Sequence, residues 1–420
     1  MTQVNDELIR DVVSKVLEHV QTGWSGRVPP AAGSSASPPV TGRGNGQAVA
    51  APAAMPAVPA AAPSGTLGRF GQFKGVDEAV EAARTAQRDL VRRSLAQRQA
   101  ACDLICRICR DQADELGRME YEETKIGHPP HKPEKLTLAA DISLATRFLR
   151  TECFSGDHGI TLEEHGPWGV IGVITPVTHS LPTLANNAVS MIAAGNSLVV
   201  NPHPGGKRIA AHGAKRFNQA IYEKLGIDNL ISVITEPTIE SAEEIFRHPR
   251  VRLLSITGGP GVVAAAMKSG KRAICAGPGN PPVVVDASAD LDNAARCILE
   301  GASFDNNLLC ISEKEAYVLS EVWDRMLAAM EAAGAVRLTR RQMDDLTRIV
   351  IEPGKDGGHP HARREFVGAE PQALAAKIGM TVPPSCRLLF GEAEQSSDLV
   401  QAEQMMPLLP FVRCESFEQA

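Results

Sequence analysis

GVIGVITPVTHSLPTLANNAVSMIAAGNSLVVNP, residues 169–202, decides the fold. A β-branched run at 169–176 leads into an apolar segment at helical spacing, 183–195, and then into a second β-branched run, 196–202. Strand, crossover helix and strand in that order predict neighbouring parallel strands. NLISVIT (229–235) and RLLSIT (252–257) continue the series, and KRIAAHGAKRFNQAIYEKLG (207–226) supplies another crossover helix. The strands are apolar almost throughout, so helices must cover both faces of the sheet. The fold class is therefore α/β, with a doubly wound parallel sheet of the dinucleotide-binding kind, whose ligands sit beyond the carboxyl ends of the strands. No GxGxxG follows the first strand. SITGGPGVV (255–263) instead ends a strand in glycines and enters a helix. Its backbone amides either face a pyrophosphate or form a plain tight turn.

Upstream, residues 76–125 are charged, Ala-rich and helix-forming. Cys102, Cys106 and Cys109 have the CxxxCxxC spacing of cluster ligands, but they lie mid-helix with Arg107 and Arg110 between them rather than on a glycine-rich loop. The spacing reads as accidental, and no metal is expected. Further upstream, Val4, Leu8, Ile9, Val12, Val13, Val16, Leu17 and Val20 form one apolar helical face over residues 1–20. Residues 21–66, dominated by Pro, Ala and Gly, read as a disordered tether. A helix this short is not stable alone in water, so its apolar face must dock. The dock is its own protein body, a second copy, or a groove on another protein.

The 420 residues, 43% hydrophobic, suffice for more than one core. A net charge of -6 from 43 basic and 49 acidic residues gives no field to draw in nucleic acid or an anionic membrane. A small-molecule partner is expected instead. Nine irregularly spaced cysteines in so long a chain do not resemble a disulfide framework and point to a reducing, cytoplasmic compartment.

SFDNNLLCISEK, residues 303–314, poses the functional question. Cys310 either packs a core beside Leu308 and Leu309 or acts as a nucleophile. Further stretches stand in order along the chain: ITPVTH (174–179), AAGNSLVVNPHP (193–204), TGGPG (257–261), AGPGNPPVVVD (276–286) and EQMMPLLPFVR (403–413). With SFDNNLLCISEK they resemble the aldehyde dehydrogenase superfamily from about residue 67 onward. They are most similar to its CoA-acylating branch, found in propanediol- and ethanolamine-utilisation microcompartments. The N-terminal helix on its tether resembles the encapsulation peptides of such enzymes.

The resemblance implies an NAD-binding domain at 67–272, a catalytic α/β domain at 273–402, and at 403–420 a strand returning toward the NAD-binding domain. It makes Cys310 the nucleophile, with Asn307 in the loop before it. Asn306 and Asn307 orient that loop, or one of them caps a helix. The oxyanion donors it implies are the Cys310 amide and a side chain of the ITPVTH loop. The family often has Thr-Asn-Pro where this chain has Thr178, His179 and Ser180, which makes His179 the donor, a structural loop residue or a group that helps deprotonate a thiol. For the cofactor it implies Thr257, Gly258, Gly259 and Gly261 at the phosphates, Pro202 and His203 near the adenosine ribose, and Glu403 on the nicotinamide ribose, with no role at position 176.

Hydrolytic members carry a glutamate near AGPGNPPVVVD. Here Cys275, Ala276 and Gly277 occupy the stretch, Cys275 as a packing residue, and no carboxylate precedes Asp286. Water should therefore resolve a thioester slowly and leave it for CoA. The implied activity is oxidation of propanal, acetaldehyde or lactaldehyde to an acyl-CoA with NAD, inside a microcompartment whose shell protein binds residues 1–20. A hydrolytic dehydrogenase and an inactive shell-binding adaptor are the alternatives. Family members continue past the 403–413 strand with a segment that joins subunits, so homo-oligomerisation is tied to that segment.

Overall fold

Alternating inward and outward side chains explain how the first sheet acquires a core on each face. The structure, a computed structural model, describes residues 68–354 and 358–420, and the expected helix at 1–20 and tether at 21–66 lie outside the described residues. Its strands are β1 (Gln72–Phe73), β2 (Glu152–Gly156), β3 (Gly159–Glu163), β4 (Val170–Thr175), β5 (Ser197–Pro202), β6 (Ile231–Ile234), β7 (Val251–Thr257) and β8 (Ala273–Ala276). There follow β9 (Pro282–Val285), β10 (Glu315–Leu319), β11 (Val336–Leu338), β12 (Ile351–Glu352), β13 (His361–Ala362), β14 (Leu389–Glu392) and β15 (Leu408–Cys414).

The first sheet has the order β1-β6-β5-β4-β7-β8 with every pair parallel. Ile171 and Val173 of β4 point into one core with Leu181, Leu184 and Phe217 of the helices Ser180–Ala193 and Lys207–Leu225. Val170 and Ile174 point the other way, onto Val80, Ala83 and Phe246 of the helices Val76–Val91 and Ile239–Arg247. Period-two alternation thus makes one strand serve two cores. The order runs outward from β4 in both directions, so the switch point lies between β4 and β7.

The second sheet has the order β11-β14-β15-β10-β9, again all parallel. Ala316, Val318, Leu409 and Phe411 pack there with Ile298 and Met326 of the helices Leu291–Ser303 and Trp323–Ala333. Two boundaries differ from the sequence expectation. β8 belongs to the first sheet, so the change of sheet falls between residues 276 and 282 rather than at 272. β15 does not return toward the nucleotide-binding side. It lies in the interior of the second sheet between β14 and β10, where its apolar run LLPFV is covered on both faces. The hairpin β2–β3 stands outside both sheets, with Phe154, Ile160 and Leu162 exposed.

Cys102, Cys106 and Cys109 are buried in the core of the helix Leu95–Asp111. Burial pushes the Cys102 and Cys109 thiols up to about 12, as befits packing groups.

Gly172 sets how closely the helix Ile239–Arg247 approaches β4. A Cβ there would lie 2.5 Å from Cγ2 of Ile245 and 3.0 Å from both Leu254 Cδ2 and Val251 Cγ1. Gly172→Ala should therefore overpack the interface and cost about 1–3 kcal/mol. Urea unfolding checks this, and an unchanged midpoint would refute the close-contact argument.

Candidate active site

Asp305, Asn306 and Asn307 follow one another with φ of 48°, 54° and 60°, a short left-handed turn before the nucleophile candidate. Asp and Asn tolerate that conformation better than other side-chain-bearing residues. All three are buried, so their polar groups need partners. Asn306 Nδ2 donates to the Gly368 carbonyl at 3.0 Å. Asn307 Nδ2 donates to the carbonyls of Ala302 at 2.8 Å and Glu313 at 2.9 Å. The Ala302 carbonyl is in the last turn of the helix Leu291–Ser303, so Asn307 caps that helix from its C-terminal side while both residues hold the loop.

The Asp305 carboxylate is fully buried between two lysines of one helix, His131–Asp141. Its Oδ2 receives Lys132 Nζ at 3.0 Å and also Lys135 Nζ, while Oδ1 accepts the His128 amide at 2.9 Å. The Asp305 amide donates to His131 Nδ1 at 2.8 Å, and the His131 ring stacks on Phe304. Burial, with Lys135 alongside and Asp305 opposing, brings Lys132 down to about 8. Glu120 completes the group: burial raises its carboxyl, with Lys135 and Lys132 opposing.

Lys135 also reaches the ITPVTH loop. Its Nζ donates to the Thr178 carbonyl at 3.0 Å and lies 3.2 Å from His179 Nδ1. Burial first, and then the nearby charges of Lys135, Lys132 and Lys314, push His179 well below the usual histidine range, against the Leu308 carbonyl. The ring is a neutral imidazole. With an ammonium at Nδ1, the remaining proton belongs on Nε2, toward the carbonyl two residues before Cys310.

Cys310 is half-buried in the turn that follows. Burial and the neighbouring Glu403 raise its thiol above the ordinary value, while Lys314 and the residue's own amide oppose them. Gly279 touches the same loop: a Cβ there would lie 2.3 Å from the Cys310 carbonyl oxygen. The Gly279 amide in turn bonds the Glu403 carboxylate. Cys310, the glycine turn and Glu403 are thus direct neighbours. Cys275 lies half-buried in β8, against the core of the first sheet.

The residues expected at the dinucleotide stand apart from this group. Thr257 ends β7, and Gly259 caps the helix Pro260–Lys268. A Cβ at Gly259 or Gly261 would meet nothing within 4 Å, whereas at Gly258 it would lie 2.8 Å from Val262 Cγ1. The helix therefore opens with accessible backbone amides in a glycine cradle, a fit for a diphosphate. Pro202 ends β5 and is buried. His203 is exposed, with Nδ1 accepting the Gly205 amide at 3.0 Å. All of these lie at the carboxyl ends of the first sheet. The residue that follows β4 is Pro176; it is half-buried and has neither a hydroxyl nor an amide proton, so it can donate nothing to a cofactor.

Sequence reasoning missed Lys132, Lys135, Asp305, Gly279 and Lys314 as site-building residues. The HKPEK stretch does hold a signal, since lysines three apart share a helix face. Nothing in it reveals that the face is buried.

The aldehyde dehydrogenase family model matches residues 65–351. The acetaldehyde dehydrogenase (acetylating) EutE of Salmonella typhimurium is 40% identical over 349 residues, which are 83% of this chain and 74% of the relative. A propionaldehyde dehydrogenase from the fucose utilisation bacterial microcompartment of Clostridium phytofermentans superposes with a TM-score of 0.78 at 38% identity, over 83% of this chain and 79% of that one. A propionaldehyde dehydrogenase of Rhodopseudomonas palustris, solved with bound CoA and an acylated cysteine, gives 0.78 at 37% identity over the same shares.

Asp305→Asn should leave two buried ammonium groups facing a neutral amide, at a cost of about 3–5 kcal/mol. Denaturant unfolding measures it; a loss below about 1 kcal/mol, the range of surface ion pairs, would mean the carboxylate does not anchor the loop.

Proposed function

The chain belongs to the aldehyde dehydrogenase family, and on that premise we propose that it oxidises a short-chain aldehyde to the corresponding acyl-CoA, with NAD as the electron acceptor. The observation that carries this reading is Cys310, half-buried on a loop pinned by Asp305, Asn306 and Asn307, with Glu403 beside it. Propanal, acetaldehyde and lactaldehyde are the candidate substrates.

In the proposed reaction the Cys310 thiolate adds to the aldehyde carbonyl to form a thiohemiacetal. Its developing oxyanion is received by the Cys310 amide and by the Nε2–H of His179, which turns to it from the Leu308 carbonyl, the imidazole being kept neutral by its surroundings. When bound, NAD accepts the hydride that leaves the thiohemiacetal carbon. Thr257, Gly258, Gly259 and Gly261 would hold its diphosphate, Pro202 and His203 would border its adenosine ribose, and Glu403 would hold the nicotinamide ribose. Cys310 is then a thioester, and the CoA thiolate attacks its carbonyl, releasing acyl-CoA and restoring the Cys310 thiolate. Residues 275–277 offer no carboxylate to activate water, which favours transfer to CoA over hydrolysis.

No helix among the described residues is long and apolar enough to cross a membrane. The proposed location is the lumen of a bacterial microcompartment in the cytoplasm, reached through capture of residues 1–20 by a shell protein. Exposed Ile160 and Leu162, which share one face of the β2–β3 hairpin, support self-association.

Cys310→Ser should abolish NADH formation from propanal while nicotinamide binding persists; retained turnover would remove Cys310 from the chemistry. In the unaltered protein, sustained NADH formation should require CoA. Equal turnover without it would establish hydrolysis instead, and absence of both would favour the adaptor reading. Deleting residues 1–20 should leave catalysis intact and abolish encapsulation, and a truncated protein still recovered inside shells would refute the targeting role.

A further inference from the structure

Lys314 is fully buried, lies four residues after Cys310, and has no part in the reaction as described above. Its backbone is fixed on both sides: the amide donates to the Pro281 carbonyl at 3.0 Å, and the carbonyl accepts Gln404 Nε2 at 2.7 Å. The side chain turns back along the nucleophile loop, where Nζ donates to the Asn307 carbonyl at 2.6 Å and also to Asn307 Oδ1. Residues 307 and 314 are thereby clamped together, and Cys310 lies on the short loop they close.

The charges around this ammonium are unlike those around the other buried lysines. Lys132 and Lys135 share the Asp305 carboxylate. The bonds Lys314 makes go to neutral oxygens, and among the described residues no carboxylate lies within ion-pair distance of its Nζ. The groups that face it at longer range are Glu403, Cys310 and Glu313. A buried cation without a bonded counter-charge is costly, and it favours creation of an anion nearby. Cys310 is the group at hand that becomes an anion during turnover.

We propose that Lys314 is the positioning residue for the nucleophile, closing the Cys310 loop through Asn307 and supplying the buried positive charge that stabilises the Cys310 thiolate against the opposing field of Glu403. Burial brings Lys314 down to about 8, which leaves it mainly cationic at neutral pH, and its charge opposes the rise of the Cys310 thiol. The proposal rests on Cys310 as the nucleophile but needs no aldehyde, NAD or CoA for its test.

The test is the pH dependence of Cys310 alkylation by iodoacetamide, followed by peptide mass spectrometry in the full chain. Lys314→Met should move the midpoint of the profile upward by about one pH unit and slow alkylation at neutral pH about tenfold. Lys314→Arg, which keeps the charge, should recover most of the loss. Identical profiles in the unaltered and Lys314→Met proteins would overturn the proposal, whatever the catalytic assays give. Should Lys314→Met fail to fold, Lys314→Gln, which keeps a hydrogen-bond donor for Asn307 and removes the charge, gives the same comparison. An alkylation profile identical to that of the unaltered protein would overturn the proposal equally.

Discussion

The active loop depends on one buried carboxylate. Asp305 receives two ammonium groups and a backbone amide, while its own amide is taken by His131. Three successive left-handed residues would each cost on the order of 1 kcal/mol or more in an isolated chain. They persist because the first is anchored by charge and the other two by amide bonds to carbonyls on both sides of the loop. Removing the anchor would free the turn to relax toward ordinary backbone angles, and Cys310 would move with it. The anchor itself comes from distant sequence: Lys132 and Lys135 lie more than 160 residues before Asp305, on a helix that packs beside the first sheet.

The arrangement explains why this loop and the ITPVTH loop act together. Lys135 holds Asp305 with the same Nζ that bonds Thr178 and approaches His179. One ammonium thus anchors the left-handed turn before Cys310 and, after burial, helps keep the imidazole beside it neutral. In the proposed reaction a neutral His179 would be a donor without a permanent charge, which suits an oxyanion that exists only transiently. Were it an imidazolium, it would add a further positive charge to a pocket that already buries three lysines.

Much of this was legible beforehand, for physical reasons that differ from residue to residue. The β4, β5 and β6 strands were visible because each buries both faces and so reads as a largely apolar run, and β7 was visible through its β-branched and apolar residues despite the exposed Arg252. β15 was recognised as a strand, yet its place in the second sheet was not, since a short apolar run carries no record of its neighbours. Cys310 stood out through its local motif, and the Asp-Asn-Asn preceding it is composed of the residue types a left-handed turn demands. Lys132, Lys135 and Lys314 were illegible as buried groups. Lysine is charged and ordinarily exposed, and what makes burial tolerable is Asp305 from across the fold for Lys132 and Lys135, and for Lys314 the Asn307 oxygens that the folded loop brings to it.

Oxidation of an aldehyde requires the nucleophile and the nicotinamide to share a frame, because the carbon attached to one must pass its hydride to the other. Gln404 connects the two. Its Nε2 donates to the Lys314 carbonyl at 2.7 Å and to the Leu408 carbonyl at 3.2 Å, so the segment entering β15 is registered against the segment entering β10. The residue before it is Glu403, whose carboxylate is bonded by the Gly279 amide, and Gly279 in turn lies against the Cys310 carbonyl. A displacement of the Cys310 loop is thereby carried to the Glu403 carboxylate, and a displacement of Glu403 is carried back. Adjacent central strands of one sheet, β10 and β15, supply the rigidity for both. The reactive groups lie on loops, but the distance between them is set by parallel strand pairing.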